Sequence, residues 1–296
     1  MSMSADCKNI FEIPIAQIIR KYGLLTNRRK AQSLGQHFLC DVSLLKKIVS
    51  RALPIDATEH VVEVGPGPCG LTREIIKACG DGRRVTCIEK DVSFKPIHDE
   101  LLAGCSSKLK FIYSDATKIR LEDLEPRLPI VIISNLPYNV GTRLLINWLN
   151  DASRIRRMAL MFQKEVADRI CARHGVKQYG RLSVISQIVC HTEKMFDISR
   201  AAFYPPPKVE STVVKLTPKN CVDADELRLL DVLTARCFSN RRKTLHKILR
   251  EYYKAGSDDA LKLCGIDASA RPEDVDPRTF LELSNKLKTL DLSPLQ

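Results

Sequence analysis

The chain's 296 residues, 44% hydrophobic and 28% charged, suffice for one large globular domain and a smaller companion with a sizeable core. Its longest apolar runs, such as residues 130–133, have strand length, which excludes a membrane-spanning helix. A net charge of +12 points to a polyanionic partner, because Lys and Arg at phosphates release condensed counterions.

The charge excess is localised. Residues 1–218 hold 33 Lys+Arg against 22 Asp+Glu, whereas residues 219–296 are nearly balanced at 14 against 13. A nucleic-acid substrate is therefore expected on the larger part. Asp6 and Glu12 interrupt the N-terminal segment, which matches neither a secretory signal nor a mitochondrial presequence, so a cytoplasmic protein is expected. The eleven cysteines include no Cys-x-x-Cys pair, which favours free thiols over a disulfide framework or a zinc ribbon, and no metal is expected.

In chain order, Pro14 opens an N-terminal helix with Ile15, Ile18 and Ile19 on one face, in a segment reaching about Lys30. Short β-branched runs then alternate with helical periodicity. Strands are expected at residues 61–64, 85–89, 109–113, 130–134 and 158–162. Helices are expected near 71–79, 97–102, 143–149 and 164–171, with Trp148 in the core beside Leu144 and Leu145. This alternation specifies an α/β, Rossmann-like parallel sheet covered on both faces. Further strands near 186–193 and 210–216 would pair antiparallel and close the sheet's edge. Beyond Pro218 only helical patterns remain, the last opened by Asp276-Pro277, so the chain divides into a catalytic domain, 1–218, and a small all-helical domain, 219–296.

Two motifs carry chemistry. Glu63-Val64-Gly65-Pro66-Gly67-Pro68-Cys69-Gly70 follows a strand and opens a helix, where glycines permit a tight turn and close approach to a ligand. Glu89, at the end of the next strand, is placed to accept both hydroxyls of a ribose. Nicotinamide and S-adenosylmethionine sites share these features. Asn135-Leu136-Pro137-Tyr138 follows a strand at the sheet's carboxyl edge. An adenine N6 amine is a poor nucleophile, and the Asn135 side-chain oxygen and Leu136 carbonyl can accept its hydrogen bonds as charge develops. Pro137 stiffens the loop, and Tyr138 offers a face to the base.

These motifs, with Gly35-Gln36-His37-Phe38-Leu39-Cys40-Asp41, Phe203-Tyr204-Pro205-Pro206-Pro207-Lys208-Val209-Glu210-Ser211 and Phe238-Ser239-Asn240-Arg241-Arg242-Lys243-Thr244-Leu245, stand in one order over nearly the whole chain. In this the chain resembles the ribosomal RNA small-subunit adenine dimethyltransferases of the KsgA type. The resemblance implies S-adenosylmethionine as cofactor, with His37, Leu39, Gly65, Glu89, Asp115 and Asn135 around it. It implies two-step N6,N6-dimethylation of adjacent adenosines near the 3′ end of small-subunit rRNA, within an assembling 30S particle; a monomer is expected, although the sequence does not itself give the oligomeric state. Phe203 becomes the second face of an aromatic clamp opposite Tyr138, against the alternative of a buried loop anchor. Arg241, Arg242, Lys243 and Lys247, on a helix capped by Ser239, become rRNA phosphate contacts. Arg28, Arg29, Lys30, Arg154, Arg156 and Arg157 are similar candidates. Two competing functions share the fold: macrolide-resistance dimethylation of large-subunit rRNA, and non-catalytic RNA binding in subunit assembly.

Overall fold

The computed structural model describes residues 10–24, 36–56, 58–80, 83–105, 108–124, 127–219, 222–253 and 257–290. Arg28, Arg29, Lys30 and Gly35 lie outside them.

The sheet has seven strands among the described residues, in the order β4-β3-β2-β5-β6-β9-β7. These are β2 (His60–Val64), β3 (Arg84–Glu89), β4 (Lys108–Tyr113), β5 (Ile130–Asn135), β6 (Ile155–Gln163), β7 (Cys190–Ile198) and β9 (Ser211–Pro218). Strands β4 to β6 run parallel, and β9 lies antiparallel to β6, as the sequence pattern leads one to expect. Chain order reverses between β2 and β5. That switch point leaves a crevice beyond the strands' carboxyl ends, where ligands bind in such sheets. A small two-stranded ladder pairs β1 (Phe38–Leu39) with β8 (Phe203–Tyr204), matching Leu39 to Phe203.

Helices α1 (Ile15–Lys21), α2 (Val42–Ser50), α3 (Gly70–Cys79), α4 (Lys95–Ala103), α5 (Leu121–Leu124) and α6 (Gly141–Asn150) accompany the strands. Their buried faces follow the apolar spacing, as with Leu45, Ile48 and Val49 on α2. Asp41 caps α2 by accepting the Ser43 and Leu44 amides at 2.8 and 3.2 Å. Leu45, Ile48 and Ile75 pack with Val131, Ile133 and Met161 in one core layer. Ile15, Ile18, Phe94, Ile97 and Leu101 form a second. Trp148 is buried, as its spacing implies.

The described residues group into two compact units, within Met1–Lys164 plus Lys194–Leu216 and within Glu165–Glu193 plus Thr217–Gln296. The second contains most of α7 (Lys164–Cys171), α8 (Arg181–Val189), α9 (Ala224–Ser239), α10 (Leu245–Tyr252), α11 (Ser257–Leu263) and α12 (Pro277–Thr289). Here α8, α9 and α12 pack on one another, and the Tyr179 hydroxyl donates to the Val275 carbonyl at 2.9 Å.

Three expectations are corrected. Residues 186–189 end a helix instead of beginning a strand: α8 is apolar on nearly all sides, and such a run carries no period to separate helix from strand. Helix α1 stops at Lys21, with Tyr22 as its C-cap. Ser239 closes α9, its hydroxyl donating to the Ala235 carbonyl, and the next helix is capped by Thr244, which accepts the Lys247 amide.

Candidate active site

An open crevice lies at the switch point, walled mainly by residues 36–39, 63–68, 88–91, 114–117 and 135–140. The glycine loop and the Asn135–Tyr138 segment come together directly. Gly65 has φ +69°, and a Cβ there would stand 3.3 Å from Pro137 Cγ. Gly67 has φ +50°, and its Cβ would meet the Phe38 ring at 3.1 Å. Both positions thus need glycine for backbone and space.

Glu89 ends β3 almost fully buried. Its Oε2 accepts the Gly67 amide at 3.1 Å and its Oε1 the Asp91 amide at 2.8 Å. Burial pushes this carboxyl above its usual value against the pull of the backbone N–H groups. Each oxygen keeps acceptor capacity for a ligand's hydroxyls. Asp115, after β4, caps a short turn by accepting the Thr117 amide and hydroxyl at 3.0 and 2.7 Å, and it pairs with Lys90 at 2.9 Å. Those bonds, Lys90 first, hold it well below the usual carboxylate range. Glu63 is buried in the cavity floor, where burial pushes its carboxyl up to about 8. The Cys87 thiol donates to it at 3.6 Å.

Asn135 ends β5, and its Nδ2 donates a long 3.4 Å bond to the His37 carbonyl, leaving Oδ1 as the amide's acceptor. His37 Nδ1 lies 2.9 Å from the Pro205 carbonyl and so carries a proton. The His37 ring stands 5.6 Å from that of Tyr138, whose hydroxyl meets Ser211 Oγ. Leu136 is buried and Leu39 joins the core, each also lining the cavity.

Phe203 departs from the clamp expectation. It is 4% exposed, packs in the core with Leu39 and Val213, and is not among the described residues walling the cavity. The apolar ring, on the residue paired with Leu39 across the short ladder, gains from that burial, the placement expected of a loop anchor.

The basic residues divide. Arg241 pairs with Glu273 at 2.8 Å and donates to the Lys177 carbonyl, and Lys243 pairs with Glu251 at 2.6 Å. Arg242 and Lys247 are exposed. Arg157 is structural, donating to the Ala52 and Pro54 carbonyls and pairing with Glu59. Arg156 stands 3.9 Å from Glu59, and Arg154 pairs with Glu122 and Asp151.

Sequence reasoning passed over His98, Tyr113 and Ser211. The signal for His98 was available: it lies four residues after Phe94 and three before Leu101, on the buried helical face. Among the described residues no helix is long and apolar enough to cross a membrane, and the described cysteines are free thiols.

Comparison with known proteins agrees with this geometry. The model of the family described as ribosomal RNA adenine dimethylase matches residues 27–289. A Caulobacter vibrioides protein named ribosomal RNA small subunit methyltransferase A is 43% identical over 254 residues, 86% of this chain and 95% of its own. A protein of the same name from Rhodospirillum rubrum is 42% identical, over 92% and 91%. Among solved structures, a dimethyladenosine transferase from Plasmodium falciparum superposes with a TM-score of 0.72 at 26% identity, over 85% of this chain and 98% of that one. The 23S rRNA methyltransferase ErmE shares the fold, with a TM-score of 0.62 at 24% identity. The chain belongs to the ribosomal RNA adenine dimethylase family.

Proposed function

We propose that the protein uses S-adenosylmethionine to dimethylate N6 of two adjacent adenosines near the 3′ end of small-subunit rRNA, during assembly of the 30S particle, as a cytoplasmic monomer. The observation that carries this reading is the convergence of Gly65, Glu89 and Asn135–Tyr138 on one crevice. The names of the relatives favour the small-subunit over the large-subunit substrate.

The residues fit an adenosine-bearing cofactor. Glu89 presents buried acceptors suited to a ribose diol, Asp115 an ionised acceptor suited to the adenine amine, and Gly65 a surface free of side chain. His37 and Leu39 wall the same crevice. S-adenosylmethionine, when bound, supplies a methyl on a positively charged sulfur. The chain's own work is to receive and hold the target base. Asn135 Oδ1 and the Leu136 carbonyl accept hydrogen bonds from N6, favouring a pyramidal nitrogen and strengthening as it gains charge. Tyr138 covers one face of the unstacked base. Pro137, wedged against Gly65, keeps those acceptors in place. Residues 219–296, with Arg242 and Lys247 exposed and Arg241 and Lys243 close in sequence, assist rRNA binding as a helical domain, and catalysis belongs to residues within 1–218.

Asn135→Ala tests the assignment. It is expected to abolish transfer of radiolabelled methyl while leaving rRNA binding largely intact. Retained turnover contradicts the role.

A further inference from the structure

We infer that His98 is a positioning residue for the cofactor site: through Gly67 it fixes how Glu89 is presented to an incoming nucleoside. The inference rests on the reading of this crevice as the S-adenosylmethionine site.

The tip of the glycine loop has few polar handles. Pro66 and Pro68 flank Gly67 and lack N–H groups, so between them Gly67 supplies the only amide proton. That N–H goes to Glu89 Oε2 at 3.1 Å. The Gly67 carbonyl receives His98 Nε2 at 2.9 Å, in a buried contact. One glycine in the left-handed region, φ +50°, is therefore held from both ends.

The direction of the chain follows from its members. A carbonyl only accepts, so Nε2 carries the hydrogen. In the neutral ring Nδ1 then accepts, and Tyr113, whose hydroxyl lies 2.8 Å away, donates to it. The sequence runs from the Tyr113 hydroxyl to Nδ1, from Nε2–H to the Gly67 carbonyl, and from the Gly67 amide to Glu89. Burial pushes the imidazole down to about 4, so the ring is neutral at physiological pH and the tautomer is set by its partners.

Packing alone does not account for a histidine here. The side chain is 0% exposed, stacked on Phe111 at 4.0 Å with the rings 10° apart, and an apolar residue would fill the face without burying two polar nitrogens. What the nitrogens add is an anchored loop. Without the donor, the Gly67 carbonyl keeps only a long 3.8 Å contact from the Cys69 thiol and the loop is free to tilt, which weakens the Gly67 amide's share in orienting Glu89 beside the Asp91 and Lys90 backbone bonds.

The test uses the full chain and calorimetric binding of S-adenosylhomocysteine. His98→Phe keeps a stacked ring and removes both nitrogens, and it is expected to weaken binding about tenfold. His98→Gln, which returns an N–H donor, is expected to recover affinity to within about threefold of wild type. In a Glu89→Gln background His98→Phe should cost less than about twofold, because the effect passes through that carboxylate. Affinity for an rRNA fragment should not change. Unaltered affinity in His98→Phe, or an equal loss with and without Glu89→Gln, overturns the inference. If His98→Phe fails to fold, Tyr113→Phe serves: about threefold weakening supports the chain, and no change contradicts it. Failure of the wild type to bind S-adenosylhomocysteine refutes the site reading itself, and is distinguished from the other outcomes by appearing before any substitution.

Discussion

Tyr138 and Ser211 meet through their hydroxyls, 2.6 Å apart, tying the loop after β5 to the first residue of β9. Ser211 is wholly buried, so the phenol is fixed to a rigid element. Tyr138→Ala should reduce methyl transfer about 5- to 150-fold, the worth of about 1–3 kcal/mol of base stacking. Ser211→Ala keeps the ring but unties it, and should raise KM for rRNA about threefold with cofactor affinity unchanged. Steady-state kinetics with each substrate varied separates the two; a Ser211→Ala effect on cofactor KM alone contradicts this role.

Gly65→Ala strikes where two motifs touch. The substituent would enter 3.3 Å from Pro137 Cγ at a φ of +69°, a left-handed conformation that costs an L-residue about 1–2 kcal/mol. The expected outcome is a lowered Tm together with loss of S-adenosylhomocysteine binding. Wild-type affinity in a stable variant would show that the loop does not line the cofactor.

The fold was legible where the sequence carries a period and a punctuation mark. Val61, Val85 and Ile130 begin apolar runs flanked by glycine, acid or proline, and all fall in parallel strands. Residues 181–189 have no such contrast, since Leu182, Val184, Ile185, Ile188 and Val189 are buried on several sides, and helix and strand look alike there. The crevice was legible in Gly65, Glu89 and Asn135, because motif position fixes them at strand ends. Phe203 was not, because a ring before three prolines reads equally as clamp or anchor until its partner Leu39 is known. Hydrogen bonds such as Tyr138 to Ser211, across 73 positions, leave no local signature.

Stability should depend on pH through Glu63. Burial raises its carboxyl to about 8, against an ordinary 4.5. Between those values the native protein keeps a proton that the unfolded chain has lost, so its contribution is fully present below about 4.5 and is lost as pH rises through about 8. Glu63→Gln removes this dependence. Relative to wild type, the Tm of the ligand-free variant should climb steadily from pH 5 to 8. Parallel Tm curves contradict the buried, protonated state.

Charge reversal distinguishes the basic residues. Arg242→Glu with Lys247→Glu should weaken rRNA binding and lower its logarithmic salt slope by roughly one to two, since each lost phosphate contact contributes about 0.7–0.9. Arg241→Ala breaks a half-exposed pair with Glu273 and should cost less than about 1 kcal/mol of stability. Filter binding across a salt series reads the first effect, and an unchanged slope contradicts it.

The most direct measurement is mass mapping of methylated adenosines after immature small subunits are incubated with the protein and labelled S-adenosylmethionine. The account predicts two methyl groups on each of two adjacent adenosines near the 3′ end of the small-subunit rRNA. Absence of label there, or label confined to large-subunit rRNA, would contradict it.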